Sequence, residues 1–158
     1  MDSIPPPDPG LALEALSSRV EREIARLDGA RATQTELIGG WAKIGSGLDH
    51  VLRAVFVQQC GALGLAPGAT FARVTREAWD LERASAGQLL HAVSAMSASA
   101  RGRDAGLDRA TAHLAHPTIA RTIELRNVLI HARREPTREE LSAVLRALRV
   151  WIAAARGG

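Results

Sequence analysis

The chain has 158 residues, 46% of them hydrophobic, which is enough for one domain with a well-buried core. No stretch approaches the ~20 consecutive apolar residues of a membrane-spanning helix, and the start has no signal-peptide core, so we expect a soluble cytoplasmic protein. The single cysteine, Cys60, excludes a disulfide framework, and the net charge of only +3 weakens the suggestion of nucleic-acid binding in the pI of 10.3.

The first part of the chain predicts a leader and two helices. Four prolines between residues 2 and 10 predict a flexible leader over 1–10, which leaves 11–158 as a single helical domain. Apolar residues spaced by three or four predict amphipathic helices over 11–27 and 35–60. The second helix has four glycines in its first half, which predict either a bend or a close contact with another helix. These are Gly39, Gly40, Gly45 and Gly47.

The middle of the chain is predicted to alternate between loops and helices. The order is a loop over 61–70, a short helix over 71–81, a helix over 85–98 and a loop over 101–106. Asp108 is predicted to cap the short helix that follows. Pro117 suits the first turn of the next helix, because a first-turn residue has no partner for an N–H group.

The final helix has the strongest signal in the sequence. Thr137 and Glu140 form a capping-box pattern ahead of an amphipathic stretch that continues to Ile152. No segment alternates with a period of two, and β-forming residues are sparse, since tyrosine is absent and aromatics are 3%. The sequence therefore predicts an all-α protein, an antiparallel bundle of four to five helices.

The helix that begins near Pro117 carries a narrow polar stripe. At about 100° per residue, Glu124, Asn127 and His131 fall within an arc of about 60°. Arg126 is about 140° from His131, so the two share a site only if the arginine curls around the helix or a second subunit supplies one of them. The spacing therefore hints at a composite site.

This segment resembles the signature of HEPN domains, small helical bundles with an Arg, a short spacer and a His. Arg126-Asn127 and His131 are followed by a basic exit at Arg133-Arg134, a proline, the capping box and an amphipathic last helix. The resemblance covers about the last forty residues well. It extends more weakly to residues 86–90 and to Leu48-Asp49 in the second helix.

The resemblance implies a metal-independent endoribonuclease without a cofactor. His131 would act as general base or acid, and Arg126 would bind and stabilise the phosphate. Asn127 would orient His131 or bond a phosphate oxygen, and Glu124 would either orient the imidazole or be an ordinary acid of the helix surface. The products would be a 2′,3′-cyclic phosphate and a 5′-hydroxyl. Arg133 and Arg134 are candidate contacts to the RNA backbone.

The resemblance also implies partners. We expect a homodimer that acts on RNA in a bacterial toxin–antitoxin, stress or phage-defence system, with an antitoxin or regulatory protein as its partner. In HEPN toxins that are inactivated by nucleotide transfer, a tyrosine lies two residues beyond the histidine. That position here is Arg133, so this kind of silencing is not expected.

Other interpretations remain open. The first is a non-catalytic HEPN-like module that binds RNA, nucleotide or a partner protein, and another is an unrelated helical interaction domain. His113 and His116 are a weak metal-binding pair, because no Cys or acidic partner follows at ligand spacing. His50 and His91 are expected to be packed or capping residues, and Cys60 a small core residue.

Overall fold

The protein is all-helical in the part of the chain that the structure describes. This computed structural model describes residues 8–29, 31–76, 80–131 and 135–157, and for residues 129–131 and 157 the backbone alone. These residues form α1 (Pro9–Asp28), α2 (Gln34–Ala62), α3 (Pro67–Thr75), α4 (Ala86–Ala100), α5 (Ala105–Leu114), α6 (Pro117–His131) and α7 (Arg138–Gly157), with a 3₁₀ turn at Leu81–Arg83. The all-α class is confirmed, with more helices than the four or five predicted.

The long helix α2 lies at the centre of the bundle. Helices α1 and α4 pack along it, α7 packs on α1, and α6 contacts both α2 and α7. Large side chains of α2 are fully buried along its length, among them Trp41, Leu52 and Phe56. Phe56 meets Phe71 of α3 edge to face, with ring centroids 5.7 Å apart. The core is therefore built around α2, and α6 closes one side of it.

Three exposed ion pairs show how α1 and α7 are oriented. The pairs are Glu14–Arg156, Glu21–Arg149 and Asp28–Arg146. Residue numbers rise along α1 as they fall along α7, so the two helices are antiparallel. The three acids recur every seven residues, which places them on one stripe of α1.

Several helix ends match their predicted signals. Pro117 is the first residue of α6. Thr137 and Glu140 form the predicted capping box, in which each side chain accepts the backbone N–H of the other residue at 3.1 and 3.0 Å. Ser85, the first residue of the helix predicted over 85–98, caps α4, in a capping box with Gln88.

Other helix ends differ from the prediction. Helix α1 begins at Pro9 rather than at residue 11, because the Asp8 side chain caps it; the rest of the predicted leader, residues 1–7, lies outside the described residues. Asp108 does not cap α5. Asp104 does so by accepting the Leu107 N–H, while Asp108 accepts the N–H of Gly102.

The short helix predicted over 71–81 is present, but its bounds differ from the prediction. Helix α3 begins earlier, at Pro67, since a proline in the first turn loses no hydrogen bond. It ends at Thr75, and Arg76 follows in the left-handed conformation with φ of 56°. The predicted loop over 61–70 is correspondingly shorter than expected.

Three of the four glycines in the first half of α2 lie at close helix contacts. The helix continues through all four of them, and the predicted close contact is found at Gly40, Gly45 and Gly47. A Cβ at Gly40 would overlap the Glu23 carboxylate, and one at Gly47 would come within 3.1 Å of Leu16. Gly39, in contrast, has open space beside it.

The histidines outside α6 and the cysteine have different environments. His50 and His91 are exposed, so the prediction that they pack or cap is wrong; each lies on the solvent side of its helix. Cys60 is fully buried, as predicted. Among the described residues, no group of His, Cys, Asp and Glu is arranged to hold a metal ion, and no helix is long and apolar enough to cross a membrane.

Candidate active site around Arg126

Helix α6 packs one face against the core of the bundle. Ile119, Ile123 and Leu125 are buried, and they hold α6 against the rest of the bundle. Thr122, also buried, donates its hydroxyl hydrogen to the Thr118 carbonyl within the same helix at 2.7 Å. These contacts fix the backbone from which Arg126 and Asn127 project.

Arg126 forms an ion pair with Asp49 of α2. Its Nη1 donates to Asp49 Oδ1 at 2.9 Å, across 77 residues of sequence. The Arg126 side chain is 24% exposed and that of Asp49 is 14% exposed, so the pair is at the boundary between core and solvent. A partly buried pair of this kind is screened less by water and salt than a surface pair.

Gly45 gives the arginine side chain room to lie against α2. A Cβ at position 45 would lie 2.9 Å from Arg126 Nε and 3.0 Å from Arg126 Cδ. Real Cβ atoms do not approach other atoms so closely. The arginine therefore occupies the space that any larger residue at position 45 would need.

Burial controls the ionisation of Asp49. Desolvation raises the pKa of Asp49 above its usual value of 3.8, because the charged form is disfavoured away from water. The charge and the hydrogen bond of Arg126 lower the pKa of Asp49 and so oppose this effect. The charges of Arg53 and His50 lower it to a smaller extent. The charged form of Asp49 is therefore stabilised by nearby cations, and Arg126 makes the largest contribution.

Arg53 has a different task from Arg126. Its Nε donates to the Leu81 carbonyl at 3.1 Å and its Nη2 to the Glu82 carbonyl at 3.3 Å. These bonds attach the 3₁₀ turn to α2, one turn beyond Asp49. Arg53 is therefore a structural residue that also contributes positive charge near the pair.

Glu124 and Asn127 lie away from the ion pair. Glu124 is exposed and lines an open groove of about 500 Å³ between α6 and α7, together with Arg121, Glu140 and Val144. Asn127 is exposed. The structure therefore brings Arg126 together with Asp49 but not with Glu124, because residues two apart on a helix are about 200° apart.

His131 is the last residue of α6, and its side chain lies outside the described residues. The helix register puts its backbone position about 140° from Arg126 and about 20° from Glu124. Position 131 is therefore on the side of α6 that carries the groove. The predicted RNA contacts Arg133 and Arg134 also lie outside the described residues.

Gly45 and Asp49 are the site residues that sequence reasoning missed: Gly45 is predicted only to mark a bend or a close contact, and Asp49 is named only in the weaker part of the resemblance, without a role. A signal for both was present: Gly45 and Asp49 are four residues apart and so share one face of α2. A small residue one turn before an acid on a core helix is a place where a long basic side chain can pack and pair.

No protein-family model, curated protein or solved structure matches this chain.

Proposed function

We propose that the protein is a HEPN-type, metal-independent endoribonuclease that acts as a homodimer. The observation that carries the proposal is the partly exposed guanidinium of Arg126, which Asp49 holds in place by an ion pair. Arg126 lies five residues before His131 on the same helix. A guanidinium has five N–H donors, so a bond from Nη1 to Asp49 does not exhaust its capacity to bind a phosphate.

The chemistry divides between the two residues. His131 removes the proton from the ribose 2′-OH or protonates the leaving 5′-oxygen, since histidine is the side chain best suited to proton transfer at cellular pH. The 2′-oxygen attacks the adjacent phosphorus, the bond to the 5′-oxygen breaks, and a 2′,3′-cyclic phosphate and a 5′-hydroxyl remain. Arg126 stabilises the negative charge that builds on the phosphoryl oxygens.

Asn127 and Glu124 support His131 in this proposal. Asn127 is one helical turn before His131 and Glu124 is two turns before it, so both share its side of α6. Either side chain can orient an imidazole through a hydrogen bond. Arg133 and Arg134 follow directly and supply positive charge for the RNA backbone.

The separation of the two faces favours a dimer. Arg126 is directed towards α2, whereas position 131 lies on the groove side of α6. Two copies related by a two-fold axis near α6 would place Arg126 of one subunit by His131 of the other. We further propose that this dimer acts in a bacterial toxin or defence system, in which a partner protein controls its nuclease activity.

A second candidate is a non-catalytic module of the same kind. The observation in its favour is the Asp49 carboxylate itself, because a negative charge 2.9 Å from the guanidinium competes with a phosphate. In that case, the Arg126–Asp49 pair holds α6 on α2, and the protein binds RNA, nucleotide or another protein without cleaving it.

Cleavage of single-stranded RNA in EDTA tests the proposal. We expect the wild-type protein to release fragments with 2′,3′-cyclic phosphate and 5′-hydroxyl ends, identified by mass spectrometry. His131→Ala should lower the rate by at least about 100-fold, the usual contribution of a general acid or base. His91→Ala, which changes an exposed histidine of α4, is the matched control and should cleave at the wild-type rate.

The outcomes separate the two candidates. Equal cleavage by wild type and His131→Ala rejects the assigned mechanism. A wild-type protein that retains RNA without cutting it, and loses retention on Arg126→Ala, supports the non-catalytic module instead.

A further inference from the structure

Two residues of α2 contact the Arg126 side chain directly. Gly45 and Asp49 lie one helical turn apart, and so they share the face of α2 that meets α6. Arg126 packs its Cδ and Nε over Gly45 and directs Nη1 to Asp49. The middle and the end of the same side chain are thus held at separate points.

The two contacts restrict the arginine in different ways. The absence of a side chain at position 45 sets how closely the guanidinium approaches the α2 backbone, because a methyl group there would lie 2.9 Å from Nε. The Asp49 carboxylate sets its direction through a charge-assisted bond of 2.9 Å. A flexible arginine on an exposed surface would have neither restriction.

We propose that Gly45 and Asp49 form a seat that positions the Arg126 guanidinium for phosphate binding. The proposal rests on the function proposed above, in which Arg126 binds the scissile phosphate. Gly45 and Asp49 are then positioning residues, since they act through Arg126 and touch no substrate. The seat fixes the guanidinium before RNA arrives, so that less order has to be created on binding.

Gly45→Ala is the variant that changes the seat with the smallest chemical step. The new methyl group displaces Nε and Cδ of Arg126, while alanine suits the middle of a helix better than glycine. Gly39→Ala is the matched control: it makes the same change in the same helix at a place with nothing within 4 Å. Any general effect of alanine on α2 appears in both variants.

In steady-state cleavage, we expect Gly45→Ala to lower kcat by at least about ten-fold with a smaller change in KM, because a misplaced guanidinium chiefly loses stabilisation of the transition state. Gly39→Ala should keep wild-type values. Asp49→Asn preserves the shape of the side chain and should also lower kcat, and it serves if Gly45→Ala does not fold. An ion pair with a purely structural role would change melting temperature without changing kcat in the folded variants.

A second readout does not depend on cleavage. In ¹⁵N-labelled protein, a seated Arg126 should give a separate Nε–H signal with slow solvent exchange, assigned by its disappearance in Arg126→Lys. The signal should merge with those of exposed arginines in Asp49→Asn and shift in Gly45→Ala, but not in Gly39→Ala.

Each result decides something. Wild-type cleavage that is unaffected by both Gly45→Ala and Asp49→Asn overturns the seat and leaves the proposed function standing. Absence of cleavage by the wild type rejects the proposed function, and the Nε–H signal then decides the seat alone. A wild-type Arg126 signal that already exchanges as fast as those of exposed arginines overturns it.

Discussion

Asp49 is an acid in an environment that opposes its charge. Burial raises its pKa, and Arg126 only offsets part of that effect. A buried ion pair is often no more stabilising than a neutral pair of the same shape, because both charges lose their hydration. The Asp49–Arg126 contact is therefore better explained by how it positions the guanidinium than by a contribution to stability.

The pH dependence of stability tests this view of Asp49. Its pKa is higher in the folded protein than its usual 3.8, so the folded state binds more protons than the unfolded state just above that value. Stability relative to Asp49→Asn should therefore be highest below about pH 3.8, fall as the pH rises to the folded pKa, and stay constant above it. Urea unfolding of both proteins between pH 3 and 7 measures this difference.

At pH 7, Asp49→Asn should change the free energy of unfolding by less than about 1 kcal/mol, since the partly exposed arginine keeps water as a partner. A loss of several kcal/mol at pH 7, or a difference that grows with pH, would contradict the interpretation.

The sequence predicts the place of Arg126 on a helix but not its partner. Local periodicity assigns α6 to an apolar helix with a polar stripe, because the repeat extends over the whole segment. Asp49 is 77 residues away, and nothing in the local pattern says which face of α2 meets α6. Gly45 was expected to mark a bend or a contact, and only the packing of the helices shows that it is a contact.

Helix α2 is the element on which this packing depends. Charged side chains from other helices pack directly against two of its glycines. The Glu23 carboxylate of α1 lies against Gly40, and the Arg126 side chain of α6 lies against Gly45. Glu23 is 2% exposed and lies near Arg19 and Arg26 at 3.8 and 3.5 Å. The glycines thus allow charged groups into interfaces that larger residues would close.

Gly40→Ala should therefore destabilise the bundle. The added Cβ overlaps the Glu23 carboxylate, which has to leave the α1–α2 interface, and overpacking of this kind costs about 1–3 kcal/mol. Gly39→Ala, one position away and exposed, should instead stabilise by about 0.5–1 kcal/mol through helix propensity. Chemical denaturation of the two variants gives the comparison, and equal stabilities would show that Glu23 relocates without cost.

Helix ends show which elements can be predicted from local signals. The Thr137–Glu140 capping box involves residues three apart, so the pattern is complete within the sequence itself. Asp104 and Asp108 are both acids before a plausible helix, and the pattern does not choose between them. The structure gives Asp104 the capping role because Asp108 turns back to the Gly102 N–H.

The first and last helices of the bundle, α1 and α7, are joined across an exposed charged seam made of the three ion pairs described above. Arg149 makes two bonds to Glu21, at 2.7 and 2.8 Å. Hydrogen bonding by Arg149 lowers the pKa of Glu21 below its usual 4.5. Because the folded pKa is lowered, the contribution of Glu21 is present above about pH 4.5 and is lost as the pH falls through the folded value.

Glu21→Gln should weaken the bundle at low salt and have no effect in 1 M NaCl, where the Debye length is about 3 Å. A double-mutant cycle with Arg149→Gln separates the pair from other effects of each change. The cycle should give a favourable coupling at pH 7 that is lost as the pH falls through the lowered pKa of Glu21. A coupling that is unchanged by salt would mean that the seam is not electrostatic.

The proposed homodimer accounts for the separation of the two site residues, because positions 126 and 131 lie on different sides of α6. If Arg126 of one subunit serves His131 of the other, a dimer of one Arg126→Ala subunit and one His131→Ala subunit has one intact site and one doubly altered site. Random mixing makes about half of the dimers mixed, so the mixture should recover about a quarter of the wild-type rate, although each variant alone is inactive. Refolding the two variants together and measuring RNA cleavage tests this, with separately refolded variants as the control. If both residues of a site come from one subunit, every site in the mixture lacks one of them and no activity returns, so the result decides between a shared site and a curled arginine.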